Sequence, residues 1–287
     1  MPRPEVGTRD TLVPGRVGDE APATVTRTVG TFGSTQRGRA AARSLGGILV
    51  AVAIWELVSV SGLVTKQALA GVWPTASALF THAGALTSAA AATLKAWAVG
   101  LSIASVLGIA CGSLVGRSRL LEAFTEILVR MMRPLPSLAL IPVAILVAGL
   151  GLKMTAGLVA FTSFWPIFIN TRYGVQQVDT LLIDTARTLG MRRATTLLRV
   201  IIPAAAQLIA SGLQVAISLA LVVTVSVELV SGSGGLGTFV LQAQQGGAVA
   251  TMYAGITVGG FVGWVLNRGW ALVVARTLPW TNRLERS

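Results

Sequence analysis

Ile183–Ala205, IDTARTLGMRRATTLLRVIIPAA, is a charged island between long apolar runs. Just upstream, Asp179-Thr180 has the residue types that begin a helix, with a side-chain oxygen capping free backbone N–H groups. Asp184 then falls near that helix N-terminus, where negative charge is favoured. Gly190 is free to take the left-handed conformation that ends a helix. Arg192 and Arg193 open a second short helix, and Pro203 stands where the next apolar run begins. The spacing predicts a helix–turn–helix hairpin, too polar for lipid and tied at both ends to apolar segments. A rigid-body push on such an element rocks the helices that flank it. The plainer alternative is an amphipathic loop lying on lipid headgroups.

The composition sets the context. Hydrophobic residues make up 53% of the chain and charged residues 12%, with a mean hydropathy of +0.72. Soluble domains carry about twice that charge. Ala96–Gly116 and Leu208–Val227 contain no charged residue, and each reaches the roughly 20 residues that cross a bilayer core as a helix. These runs define an integral membrane protein. The net charge of +12 does not point to nucleic acid, because the basic residues flank apolar spans instead of forming one patch. The single cysteine, Cys111, lies inside an apolar run and cannot form an internal disulfide. The first forty residues lack the apolar core of a secretory signal.

Working outward from the hairpin, the chain reads as all-α with six spans, near 45–63, 93–116, 135–151, 155–173, 206–230 and 251–273. Pro134, Pro136, Pro142 and Pro166 interrupt or kink the third and fourth. Residues 1–42, rich in Pro, Gly, Thr and Arg, read as a disordered cytoplasmic tail. Residues 43–276 form the membrane domain, with the cytoplasmic hairpin at 180–203, and 277–287 a short cytoplasmic tail. With the N-terminus inside, every arginine falls on the cytoplasmic side and only Lys66, Lys95 and Lys153 lie outside, as the positive-inside rule requires. Six spans then put both termini in the cytoplasm. Trp73, Trp97, Trp165, Trp270 and Trp280 fall mostly near span ends, as interfacial anchors do. Between the first two spans, WPTASALFTHAGAL suits a short helix on the outer surface, with His82 as a surface residue.

Two spans carry glycines four apart: Gly108, Gly112 and Gly116 in the second, Gly255, Gly259 and Gly263 in the sixth. That spacing puts small residues on one face, so another helix can approach closely, either within the chain or from a second copy. Two carboxylates fall inside spans, and intramembrane charges are costly. Glu56 reads as structural. Glu228 either hydrogen-bonds a neighbouring helix or shapes the translocation path. Ser231–Gly237, SGSGGLG, lacks the Lys-Ser/Thr ending of a phosphate loop and reads instead as a tight turn near an outer gate, with Gly235 and Gly237. Asn170 and Arg172 end the fourth span at the cytoplasmic face. No nucleophile–base pair, catalytic carboxylate pair or metal-ligand cluster is present in the spans, so no catalytic residue is assigned and the chain is not read as an enzyme.

The island resembles the signature loop of ABC-importer permeases, E-A-A, three residues, Gly, nine residues, I-x-L-P. Asp184, Thr185, Ala186, Gly190, Val200, Ile202 and Pro203 keep its spacing, with Asp for Glu, Thr for Ala, Val for Ile and Ile for Leu. Arg133-Pro134-Leu135-Pro136 with Ile141-Pro142, Gly149-Leu150-Gly151 with Lys153, Glu228-Leu229 with Gly235-Leu236-Gly237, and Trp55-Glu56 are similar to motifs of the nitrate/sulfonate/taurine subgroup. The resemblance implies the type I importer permease fold in a bacterial inner membrane. It implies a homodimer, two ATPase subunits gripping the signature loops, and an extracytoplasmic solute-binding protein. ATP and Mg would sit on the ATPase, with no cofactor on this chain. The solute implied is a small anion or related organic compound. The competing reading is a stand-alone ion-coupled secondary transporter using Glu228, though such a carrier would want more mid-membrane titratable groups and a repeat of its halves.

Overall fold

The computed structural model describes residues 33–62, 65, 68–132 and 137–278, and all regular structure there is helical. It divides into two units, residues 1–50 and 51–287. In the first, the described residues form the beginning of α1 (Gly33–Val60). That helix starts ten residues before the boundary that composition set for the tail; residues 1–32 lie outside the described residues.

The second unit holds the rest. α2 (Val72–Thr81) is the short helix expected before the second span. Four long helices follow the apolar runs: α3 (Ala83–Gly116), α6 (Leu152–Gln176), α9 (Ile202–Ser231) and α11 (Val249–Thr277). Among the described residues these are the helices long and apolar enough to cross a bilayer; α9 counts with the short helix before it, as Arg193–Ser231. A fifth crossing exists if α4 (Arg119–Met132) and residues 137–148 form one broken span.

The six-span expectation is therefore met at four places and changed at two. Near 45–63 the apolar helix is only Gly46–Val60, shorter than the roughly 20 residues of a full crossing. Near 135–151 the chain makes a 3₁₀ turn, Ser137–Leu140, then α5 (Ile141–Ala148). Gly149 at φ 69° and Gly151 at φ 117° stop that helix and turn the chain into α6. The Arg133–Pro136 motif lies outside the described residues.

α6 is the centre, packed most extensively against α3 and α9. Small residues allow this. Gly100, Ala104, Gly108, Gly112 and Gly116 recur every four positions along α3. A Cβ on Gly112 would stand 2.7 Å from the Phe168 carbonyl oxygen, and one on Gly116 would stand 2.9 Å from Val175 Cβ. On α9, a Cβ on Gly212 would stand 2.7 Å from Asn170 Cβ. Lipid offers helices little hydrophobic drive to associate, so close backbone approach supplies the attraction. Ile167, Ala104 and Ala216 meet where the three helices converge, all fully buried.

Indoles add hydrogen bonds between helices. Trp97 Nε1 donates to the Ile217 carbonyl at 3.1 Å and Trp270 Nε1 to the Ala210 carbonyl at 3.2 Å. These two rings, expected near span ends as interfacial anchors, also join helices. Trp73 is exposed, and Trp280 lies outside the described residues.

Candidate functional site

The charged island folds as a hairpin. α7 (Thr180–Thr188) begins at Asp179, whose Oδ1 accepts from Leu181 N at 2.9 Å. It ends at Gly190, at φ 71°. Gly190 N donates to Arg187 O at 2.9 Å, and Met191 N reaches back to Ala186 O at 3.1 Å. This pair of bonds is the Schellman stop, which needs a left-handed residue after the helix. α8 (Arg193–Thr196) follows, then one π turn, Leu197–Ile201, that runs straight into α9. Pro203 cannot donate to the residue four before it, and a locally widened turn next to such a position is the usual accommodation.

The signature residues divide by exposure. Ala186 is buried, Val200 and Ile202 are half-buried, and Asp184, Thr185, Gly190 and Pro203 are exposed. Ile183 packs with Val175, Val178, Ile201 and Ala205, which fixes the hairpin to α6 and α9. Asp184, expected near the helix N-terminus, stands past the first turn. It lies mid-helix and pairs with Arg187 at 2.9 Å, an exposed pair worth at most about 1 kcal/mol. Leu181, Leu182 and Leu189 of α7 and its turn are exposed, as is Leu198 in the π turn, where it lines a slot beside α3. Sequence reasoning passed over these leucines: Leu182 and Leu189 stand four and three residues from Ala186, so helical phase does not set them apart from its buried side, and only Leu181 falls opposite.

At the far end of α9, Glu228 is buried, 2% exposed. Its Oε2 accepts from Thr93 Oγ1 at 2.9 Å and from Gly237 N at 3.0 Å. Thr93 Oγ1 in turn accepts from Leu236 N at 2.8 Å. Leu236 and Gly237 are the first residues of α10 (Leu236–Gln245). Two side chains from other helices thus cap the free amides of α10, at the end where a helix favours negative charge. The backbone carbonyl of Glu228 accepts from Thr238 Oγ1 at 3.0 Å and from Gly232 N at 2.9 Å. The turn between α9 and α10 needs its glycines. Gly235 sits at φ 95°, and a Cβ there would overlap the Glu228 carboxyl; a Cβ on Gly237 would overlap Val225 O. Thr93 carried no sequence signal, being one hydroxyl in an alanine-rich run.

The remaining sequence-flagged residues separate. Gly108, Gly112 and Gly116 face α6, as described. Gly255 lies against Val240 and Phe239 of α10, and Gly263 lies near Leu221 of α9. A Cβ on Gly259 would meet nothing within 4 Å, and this glycine opens onto an apolar groove. Glu56 Oε2 accepts from Val72 N at 2.7 Å, the first amide of α2, while Trp55 Nε1 donates to Ala70 O at 2.9 Å. The Trp-Glu pair therefore anchors α2. Asn170 Nδ2 bonds back to Pro166 O at 2.8 Å.

A membrane bundle that carries an exposed, rigidly stopped hairpin at the start of one spanning helix is built like a transporter's membrane subunit. Residues 104–274 match the family described as binding-protein-dependent transport system inner membrane component, and the chain belongs to that family. It is 32% identical over 189 residues to the nitrate import permease protein NrtB of Leptolyngbya laminosa, covering 66% of this chain and 68% of that protein. It is 30% identical over 244 residues to the bicarbonate transport system permease protein CmpB of a Synechocystis species, covering 81% and 87%. Among solved structures it is similar to a chain of the inward-facing MetNI methionine ABC transporter, with TM-score 0.58, 17% identity, and coverage of 71% of this chain and 96% of that one.

The chain is thus a multi-pass inner-membrane permease component of an ABC importer, a non-catalytic part of a system that also uses an ATPase and a solute-binding protein. Family membership replaces the gradient-driven carrier as an account of it.

Proposed function

We propose that this permease forms the path for a small oxygen-rich anion, of the nitrate, bicarbonate or sulfonate kind, as one half of a homodimer. With α1 and the broken α4–α5 segment each counted as a crossing beside the four long helices, six crossings leave both termini and the hairpin in the cytoplasm, the hairpin under one ATPase subunit per copy. Closure of the ATPases on ATP and Mg pushes the hairpins and turns the path outward, and hydrolysis resets it, an alternating access biased by nucleotide. Asp184, Thr185, Ala186, Gly190, Val200, Ile202 and Pro203 carry the push; Glu228, Gly235 and Gly237 hold the outer gate. The names of the relatives support the solute class.

The observation that carries the reading is the hairpin. Ala186 is buried and Ile183 packs into the bundle, the turn is fixed by two backbone bonds at Gly190 and Met191, and Leu181, Leu182 and Leu189 stand exposed. It is built to be gripped and to stay rigid. The test is co-purification of the tagged chain with its co-expressed genomic neighbours. Wild type is expected to bring down an ATPase, and deletion of 185–193 to lose it. Gly190→Val places a β-branched residue at φ 71°, which costs about 1–3 kcal/mol locally, and is expected to abolish uptake while the chain still inserts. A well-folded wild type with no ATPase attached, or wild-type uptake by Gly190→Val, refutes the coupling role.

A further inference from the structure

We propose that the hairpin end of this chain holds one anionic phospholipid, with its phosphate among Arg117, Arg187 and Arg193 and an acyl chain in the slot between α3 and the start of α9. Two grooves make one cleft. The first, about 640 Å³, is lined by the three arginines with Ile183 and Met191. The second, about 470 Å³, is lined by Val106, Ile109, Ala110, Leu198 and Ile202. Leu114 and Leu197 line both, so the charged part opens into the apolar part.

The two parts lie at different depths. Along α3 the apolar slot runs from Leu114 to Ser105, about 13 Å at the helical rise, inside the uncharged stretch of that span. The arginines lie beyond the end of that stretch. A ligand filling both must have an apolar tail in the hydrocarbon and an anionic head at the surface. Arg187 has Asp184 as a partner at 2.9 Å, and Glu122 faces Arg117 and Arg187 from an adjoining groove. Among the described residues no salt bridge engages Arg117 or Arg193. Positive charge is therefore in surplus at the cleft mouth. Guanidinium forks match phosphate oxygens, arginine stems cover apolar surface, and basic pockets between membrane helices hold anionic headgroups. The site goes beyond the transport reading, and places a lipid against the element that reading assigns to coupling.

The test uses the full-length chain in mild detergent with its ATPase partner. Tritiated phosphatidylglycerol, phosphatidylcholine of the same acyl composition, and inorganic phosphate are titrated in parallel. Phosphatidylglycerol is expected to bind saturably, one per chain and roughly tenfold or more tighter than phosphatidylcholine. Arg117→Gln with Arg193→Gln is expected to erase that preference. Ala110→Trp, which fills the slot at an exposed position away from the arginines, is expected to weaken lipid binding with helicity unchanged, and stands as the test if the arginine pair fails to fold. Equal retention of both lipids overturns the proposal, as does a double arginine variant that binds normally. Displacement by inorganic phosphate at matched concentration, with Ala110→Trp unaffected, would reduce it to a bare anion site. Loss of the ATPase from the arginine variants, with no headgroup preference in wild type, would assign the cleft to that subunit. If no ATPase co-purifies and phosphatidylglycerol still binds selectively, the coupling reading fails and the lipid site stands.

Discussion

Glu228→Ala is expected to destabilise the protein far more than Glu228→Gln. Both donors to this side chain, Thr93 Oγ1 at 2.9 Å and Gly237 N at 3.0 Å, converge on one oxygen, Oε2. Glutamine has the same shape and a carbonyl oxygen to put there, so both bonds survive. Alanine leaves two buried donors without an acceptor. Each costs about 1–3 kcal/mol in soluble proteins, and interhelical bonds in membranes average nearer 0.6 kcal/mol. The sum is about 2–4 kcal/mol for the alanine variant, a fall in melting temperature on the order of 10 °C. Thermal unfolding of the detergent-purified protein, followed by tryptophan fluorescence, measures it. Thr93→Val should share the same loss, so the double variant should fall short of the summed effects. Equal melting of the alanine and glutamine variants, or an unchanged alanine variant, refutes the capping argument. Normal assembly and uptake by Glu228→Gln would also remove its carboxylate from any gating role.

Two further outcomes follow from packing. Gly112→Leu would set a Cβ 2.7 Å from the Phe168 carbonyl oxygen, so α3 and α6 must part, at about 1–3 kcal/mol, read as a lower melting temperature; Gly259→Leu, which meets nothing within 4 Å, should leave the chain's own stability unchanged and disturb only a contact to a second copy. Glu56→Ala removes the acceptor for Val72 N at about 1 kcal/mol, and faster amide exchange in the first turn of α2 would report it.

The long uncharged runs were legible because membrane helices must satisfy every backbone group internally. α3, α6, α9 and α11 fall where those runs fall. What composition could not show was where tight turns would break a run, as Gly149 and Gly151 do after α5, or how far a helix would continue past its apolar part, as α3 does back to Ala83. The hairpin was legible because caps are local: Asp179 and Gly190 act within a few residues of themselves. Asp184 was misplaced because it stands five residues past the Asp179 cap, more than one 3.6-residue turn into the helix. The partners of Glu228 were hidden for the opposite reason. Thr93 stands 135 positions away in sequence, and nothing in an alanine-rich stretch marks a threonine as bound to a distant acid.

The widened turn at Leu197–Ile201 joins α8 to α9, so Arg193–Ser231 is one helix of 39 residues. At the helical rise it measures about 58 Å, nearly twice a bilayer's hydrocarbon core. Under the proposed coupling it would act as a lever, with the second half of the hairpin as its handle and the carboxylate that seats α10 at its far tip. A tilt of about ten degrees at the handle carries the tip roughly 9 Å, more than a full turn of helix. The break in the helix's regular bonding is the π turn, five residues, a wide i→i+5 turn of the kind found mostly as single bulges at functional positions in helices. Under the proposed coupling, the stiffness of that turn relative to the Glu228–Thr93 seat would decide whether a stroke at the hairpin reaches the opposite membrane face or is absorbed before it enters the bilayer.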